Sequence, residues 1–240
     1  MAIGAVCRPA GGWGWGHHGG VTNVSTAACA DACVQLGVPL KAVPLLPLRR
    51  DWRVEGPARP VVHAGSVDVF LEACESLHEG DVLVVDDGGR TDRACIGDLT
   101  ALEVRGAGGA GMVVWGCHRD TAQLLEVNLP VFSLGARPNG PAGVEGRSGP
   151  PRLGEHPVEE GDVVVGDADG IVLVPADRVE EIMVAAAEIA ETETGQADAA
   201  RKGRSLREQL DFTGYLAERE RDPSFTLREH LRRRGGAIER

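Results

Sequence analysis

The sequence predicts an α/β domain whose strands are covered on both faces, and three observations predict it. Hydrophobic residues make up 42% of the 240 but aromatics only 4%, so the core must be built mainly from Val, Ala and Leu. Thirty-three glycines supply many tight turns. Short valine-rich runs alternate with longer segments of helical period, as in sheets buried between helices rather than sheets with one wet face. The length suits one main domain followed by a tail.

The leader, 1–24, reads as irregular: GGWGWGHHGG at 11–20 holds too much glycine for regular structure. Its adjacent His17 and His18 are read as ordinary residues of a flexible segment, not as metal ligands. The main domain is expected over 25–200 and a helical tail over 201–240. Ser25-Thr26 caps a first helix that runs to Leu36 and stops at Gly37. Ser66 precedes Val67, Phe70, Leu71, Cys74 and Leu77 at helical spacing, with Gly80 as the stop. Residues 81–86 read as a short buried strand and Asp87-Gly88-Gly89 as its turn.

A helix is expected over 96–105. The following GAGGAG at 106–111 has G-x-G-x-x-G spacing, but a dinucleotide loop needs a strand before it and a helix after it. Here the order is reversed, and the glycines turn the chain into a strand at 112–115. Asp120 opens a helix over 121–127, and 129–134 returns as strand. The Gly- and Pro-rich stretch 135–160 is either an irregular strand pair or a loop near the site. Strands at 162–165 and 171–174 form a hairpin, since the Asp-x-Asp-Gly between them lacks the downstream Glu of a calcium loop. Asp177 caps a helix with Val179, Ile182, Met183, Ala186 and Ile189 on its apolar face. Two tail helices are expected at 205–220 and 224–234, the second opened by Asp222-Pro223 and Thr226-x-x-Glu229 and ended by Gly235-Gly236.

The formal net charge of -11 argues against a nucleic-acid surface, which needs clustered Lys and Arg. Only the tail is basic: 11 Lys/Arg against 7 Asp/Glu over 201–240, leaving 14 against 29 upstream. No apolar run approaches a membrane span and the N-terminus lacks a signal pattern, which predicts a cytoplasmic protein. Cys7, Cys29, Cys33, Cys74, Cys95 and Cys117 include no Cys-x-x-Cys pair and read as buried thiols.

The chemistry is concentrated in IGDLTALEVRGAGGAGMVVWGCHRD, where twenty residues lie between Asp98 and the pair Arg119-Asp120. An Asp before a helix and an Arg-Asp after an apolar strand can converge at strand and helix ends, where polar groups sit on rigid supports. Arg grips a carboxylate with a planar fork, and Asp offers oxygen to a hard cation such as magnesium. Each also has a plain structural reading: Asp98 and Asp120 as helix caps, Arg119 as a surface ion-pair partner. His118 reads as a mere neighbour whose strand position aims it away from Arg119.

Several segments together resemble the RraA-like family, which includes metal-dependent class II pyruvate aldolases acting on 4-hydroxy-4-methyl-2-oxoglutarate and 4-carboxy-4-hydroxy-2-oxoadipate. STAACADACVQLGV (25–38) resembles the family's first helix, GPARPVV (56–62) its next strand, and EGDVLVVDDGG (79–89) its central strand. GDLTA (97–101), HRD (118–120) and EEGDVVVGDADGIVLVP (159–175) complete the match, which covers about 25–193. Pro60 stands where Thr is usual, and Trp115 where an acid is usual. The resemblance implies a layered α/β/β/α sandwich of the swivelling-domain type with a C-terminal helical extension.

It also implies roles for individual residues. Asp120 would ligate Mg2+ (or Mn2+), and Arg119 would pair with the carboxylate of a 2-oxo acid. The backbone at Gly97 and Leu99 would help to cradle that carboxylate, and Asp98 would hold a water that shuttles protons. The family site lies between subunits of a trimer or hexamer, so Glu193, or Glu191, would be an acid supplied by the neighbour. The implied reaction is cleavage of a 4-hydroxy-2-oxo acid to pyruvate, with oxaloacetate decarboxylation as a companion. The alternatives are a protein-binding regulator without catalysis and another metal-dependent reaction of an enolisable acid. No Schiff-base lysine is required, which suits a chain whose only lysines are Lys41 and Lys202.

Overall fold

A computed structural model of the protein describes residues 24–141 and 149–234. Cys7, His17, His18 and the Gly235-Gly236 stop lie outside them. The described strands are β1 (Lys41–Val43), β2 (Leu46–Pro47), β3 (Val54–Val62), β4 (Val82–Asp86), β5 (Ala94–Ile96), β6 (Gly111–Trp115), β7 (Cys117–His118), β8 (Val131–Ser133), β9 (Arg152–Leu153), β10 (His156–Pro157), β11 (Val163–Asp167) and β12 (Gly170–Val174). The helices are α1 (Thr26–Leu36), α2 (Asp68–Glu75), α3 (Asp98–Gly106), α4 (Thr121–Val127), α5 (Val179–Arg201), α6 (Leu206–Gln209), α7 (Phe212–Arg221) and α8 (Leu227–Arg234).

Eight strands form one sheet in the order β1-β12-β11-β3-β4-β6-β8-β2, antiparallel up to β3 and parallel from β3 to β8. The nine-residue β3 belongs to both halves, pairing Val54 to Pro57 with β11 and Ala58 to Val62 with β4. Side-chain alternation then decides the layers. In β12, Val172 and Val174 face α1 and α5, whereas Ile171 and Leu173 face inward. In β4, Leu83 and Val85 face α2 and α3, whereas Val82 and Val84 face inward. The two inward sets meet with Val113 and Phe132 in a shared inner core. The sheet is therefore curled on itself into an α/β/β/α arrangement, the layered fold that the family resemblance implies.

Caps explain why α1 is where it is: Ser25 accepts from the Ala28 N–H at 3.1 Å, and Gly37 closes the helix at φ 66°. Other boundaries differ from the sequence reading. Ser66 caps nothing; α2 starts after Val67 and stops at Glu75, and Gly80, at φ 88°, turns the chain into β4. Ile96 belongs to β5, so α3 begins two residues later. Asp177 lies in a 3-10 turn (Ala176–Arg178) instead of capping α5, which runs for 23 residues to Arg201. The expected helix over 205–220 is two helices, because Asp211 adopts a left-handed conformation at φ 50° and accepts from the Gly214 N–H. Ser205 and Glu208 form a reciprocal capping box that starts the first of them.

The tail buries its own small cluster, Leu210, Tyr215, Phe225, His230 and Leu231, and His230 meets the Leu210 carbonyl at 3.1 Å. It is tied to α5 through the Gln209 amide, which donates to the Gln196 carbonyl. Among the described residues, no helix is long and apolar enough to cross a membrane.

Candidate functional site

The parallel strands β4 and β6 end on the same side of the sheet, where open α/β folds place ligands. Beyond β6 the chain makes β7, which pairs in parallel with β5: Ala94 faces Cys117 and Ile96 faces His118. This two-stranded ribbon cancels the sequence separation between Asp98 and Arg119. One hydrogen bond past the ribbon, from the Arg119 N–H to the Ile96 carbonyl at 3.0 Å, sets the Arg119-Asp120 pair beside Gly97.

The approach there is close. A Cβ on Gly97 would lie 2.5 Å from Asp120 Oδ2, 3.5 Å from Arg119 Cγ and 3.6 Å from Arg119 Nε. Gly97 has φ -145°, which any residue can adopt, so it is steric room and not backbone freedom that the position requires. Asp98 and Leu99 follow as the first residues of α3, whose Gly97 cap offers no side chain, so the first N–H groups of that helix have no capping oxygen. Leu99 is 72% exposed.

Asp120 adopts φ 57° and ψ 43°, a left-handed conformation uncommon outside Gly, Asn and Asp, and makes no capping hydrogen bond to α4. Its Oδ2 lies 3.3 Å from Arg119 Nε, with both side chains partly exposed. Asp120 thus stands at the N-cap position of α4 without capping it through its side chain, and the carboxylate lies beside Gly97 and Arg119 instead. The segment after β8 completes the rim. Ala136 bridges to His118, the Asn139 carbonyl accepts from the Ala94 N–H, and a Cβ on Gly140 would lie 2.5 Å from Arg119 Nη1.

His118 points the other way, buried between the Ser133 hydroxyl at 2.7 Å and the Thr121 hydroxyl at 3.0 Å, and burial lowers its pKa. It pins β7 to β8 and α4 as a neutral ring, as its strand position predicts. The cysteines among the described residues are unpaired, and burial first of all, then Cys33, pushes the Cys29 thiol up to about 12. Glu191 and Glu193 do not join the other site residues within one chain. They lie on exposed positions of α5, which packs with α1 in the helical layer opposite α3 and α4.

A family model described as RraA-like, Aldolase/RraA, matches residues 26–173, which run from α1 into β12 and include this site. The chain belongs to the RraA-like family. Among RraA-like relatives, a protein of Halalkalibacterium halodurans named "Putative 4-hydroxy-4-methyl-2-oxoglutarate aldolase" is 34% identical over 140 residues, 57% of this chain and 67% of that protein. A protein of the same name from Alkalilimnicola ehrlichii is 33% identical over 62% of this chain and 92% of its own length. The crystal structure of Streptomyces coelicolor RraAS2, described as an unusual member of the RNase ES inhibitor RraA protein family, superposes with a TM-score of 0.63. It is 29% identical and covers 75% of this chain and 93% of that one.

Two structural features escaped the sequence reading, one at the site and one apart from it. Gly140 carries no motif, and only the fold brings it over Arg119. Asp87, read as a turn residue, is instead buried against His63, with Nδ1 to Oδ1 at 2.8 Å. Trp115, the residue that departs from the family pattern, packs its indole on Gly89 and Gly154.

Proposed function

We propose that this protein is a divalent-metal-dependent lyase that cleaves a 4-hydroxy-2-oxo acid to pyruvate and a second carbonyl compound. The observation that supports it best is the convergence of Arg119 and Asp120 on the bare backbone of Gly97 at the open end of α3. A guanidinium beside uncapped helix N–H groups is a site for a carboxylate. The family implies Mg2+ or Mn2+, and the donor set fits: a partly exposed carboxylate, turned outward by an unusual backbone, suits a hard ion that keeps several waters. Bound at Asp120, such an ion would polarise the keto oxygen of a 2-oxo acid and offset the charge that develops as the carbon–carbon bond breaks.

The protein groups supply the rest. Arg119 and the backbone N–H of Leu99 hold the substrate carboxylate, and Asp98, through a water, takes the proton of the substrate hydroxyl and delivers it to the carbon of the pyruvate enolate. In the single chain the site is open, and α2, α3 and α4 leave Leu71, Leu99, Leu102 and Leu125 exposed. These side chains support a homo-oligomer in which a second copy walls the site, with Glu193 or Glu191 as its contribution.

A coupled assay for pyruvate release from 4-hydroxy-4-methyl-2-oxoglutarate tests the reading. Turnover is expected with Mg2+, to be abolished by a chelator, and to fall by at least about 100-fold in Asp120→Ala and Arg119→Lys. Chelator-insensitive turnover, or none on any 4-hydroxy-2-oxo acid, overturns it. The second outcome would favour the protein-binding role that the description of the Streptomyces relative suggests.

A further inference from the structure

Beneath that site lies a second cluster on which the proposed reaction makes no demand. His63 follows β3, Asp87 follows β4 and Cys95 is the middle residue of β5, so three neighbouring elements each deliver one metal-ligating side chain to the same place. All three are buried, and one ligand atom from each lies within 4.8 Å of the others. His63 Nδ1 and Asp87 Oδ1 are 2.8 Å apart, and the imidazole stacks on Phe70 with centroids 5.2 Å apart, which fixes the ring. Two atoms are left over. Among the described residues, His63 Nε2 and Asp87 Oδ2 are buried with no hydrogen-bond partner, an arrangement that folded proteins rarely leave uncompensated.

The structure assigns to His63, Asp87 and Cys95 a buried site for one zinc ion. Charge is the first reason: a neutral imidazole, a carboxylate and a thiolate bring two negative charges, and Zn2+ cancels both in a region with no water-facing surface. Donor type is the second, because a mixed sulfur, nitrogen and oxygen set selects a borderline ion and disfavours magnesium. Geometry is the third. Bonds of about 2.3 Å to sulfur and about 2.0–2.2 Å to nitrogen and oxygen set ligand atoms roughly 3.5 Å from one another, and here one atom from each residue already lies within 4.8 Å of the other two. Asp87 can fill a fourth position with its second oxygen.

Without metal, burial and the neighbouring Asp87 carboxylate raise the Cys95 thiol far above its ordinary range, and its Sγ donates to the Cys117 carbonyl at 3.6 Å. Zinc binding requires that thiol to give up its proton. The centre is structural: it ties the ends of β3 and β4 to β5, two residues before Gly97, and leaves no open position for substrate. The inference is independent of the aldolase reading.

The test uses the full-length protein, stripped of metal by a chelator and given one equivalent of Zn2+ or of Co2+ as its spectroscopic substitute. Wild type is expected to retain one zinc per chain after dialysis, to gain about 5 °C or more in melting temperature, and with Co2+ to show a thiolate-to-metal charge-transfer band. The band should persist in Asp120→Ala and in the double variant Cys7→Ser/Cys74→Ser, and vanish in Cys95→Ser, with His63→Ala weakening binding at least 10-fold. Where Cys95→Ser fails to fold, Asp87→Asn takes its place. A wild-type protein that takes up neither ion at one equivalent overturns the inference, as does a band that survives loss of Cys95 or one that disappears with Asp120.

Discussion

Gly97 shows how much of the site depends on a side chain that is not there. Its missing Cβ leaves the 2.5 Å in which Asp120 Oδ2 sits, and Asp120 is committed to that spot by a left-handed backbone. Gly97→Ala is therefore expected to push the carboxylate aside by an ångström or more and lower pyruvate release by about 100-fold. The melting temperature should stay within a few degrees of wild type, because the group displaced is partly exposed. Equal activity in the alanine variant would show that Asp120 does not work from this position. The meeting of Arg119 and Asp120 beside Gly97 was legible in the sequence because carboxylate and guanidinium are recognisable by type and flank. The left-handed Asp120 and the contact of Gly140 with Arg119 were not, since neither a backbone angle nor a contact across a turn leaves a residue pattern.

Single elements were legible where caps and alternation agreed and illegible where strands shrink to two or three residues. The helix α1 has both a serine cap and a glycine stop, and its observed bounds coincide with those the sequence predicts. The ribbon of β5 and β7 carries no period that two or three residues could display, yet it aligns the site. A further tie was equally hidden. Asp167, at the end of β11, accepts from Thr26 N at 2.9 Å, Thr26 Oγ1 at 2.7 Å and Asp169 N at 3.0 Å, holding α1 to its hairpin. Burial alone would raise this carboxyl, but those hydrogen bonds and Arg53 outweigh it and lower its pKa below 3.8. Asp167→Ala is expected to cost about 2–4 kcal/mol in urea unfolding at pH 7, since it strands buried donors as well as removing their partner. The folded state holds the proton less tightly than the unfolded one, so this contribution is complete well above pH 3.8. It disappears as the pH falls through the folded-state value, and the gap between wild type and variant should close there. A gap that persists in acid would mean that the carboxylate charge is not what holds α1.

At the scale of the molecule, composition pointed to a valine-built core but not to its division into three. That division follows from period-two alternation in β4, β6, β11 and β12, which sends successive valines to a helical layer and to the space between the sheet halves. Gly166 marks how tightly the halves close: a Cβ there would lie 2.5 Å from Ile171 Cδ1, 2.8 Å from Val54 Cγ1 and 3.1 Å from Phe132 Cζ. Gly166→Ala is expected to destabilise the fold by about 1–3 kcal/mol by prying the layers apart, read as a lower urea midpoint. An unchanged midpoint would mean that the inner core has slack. The same layering constrains assembly. An acid on α5 and the site on α3 stand on opposite outer faces of one protomer, so a donation between copies must join unlike surfaces. Unlike surfaces do not pair about a simple two-fold axis, so the neighbour-supplied acid of the proposed function would call for copies that follow one another around a closed ring.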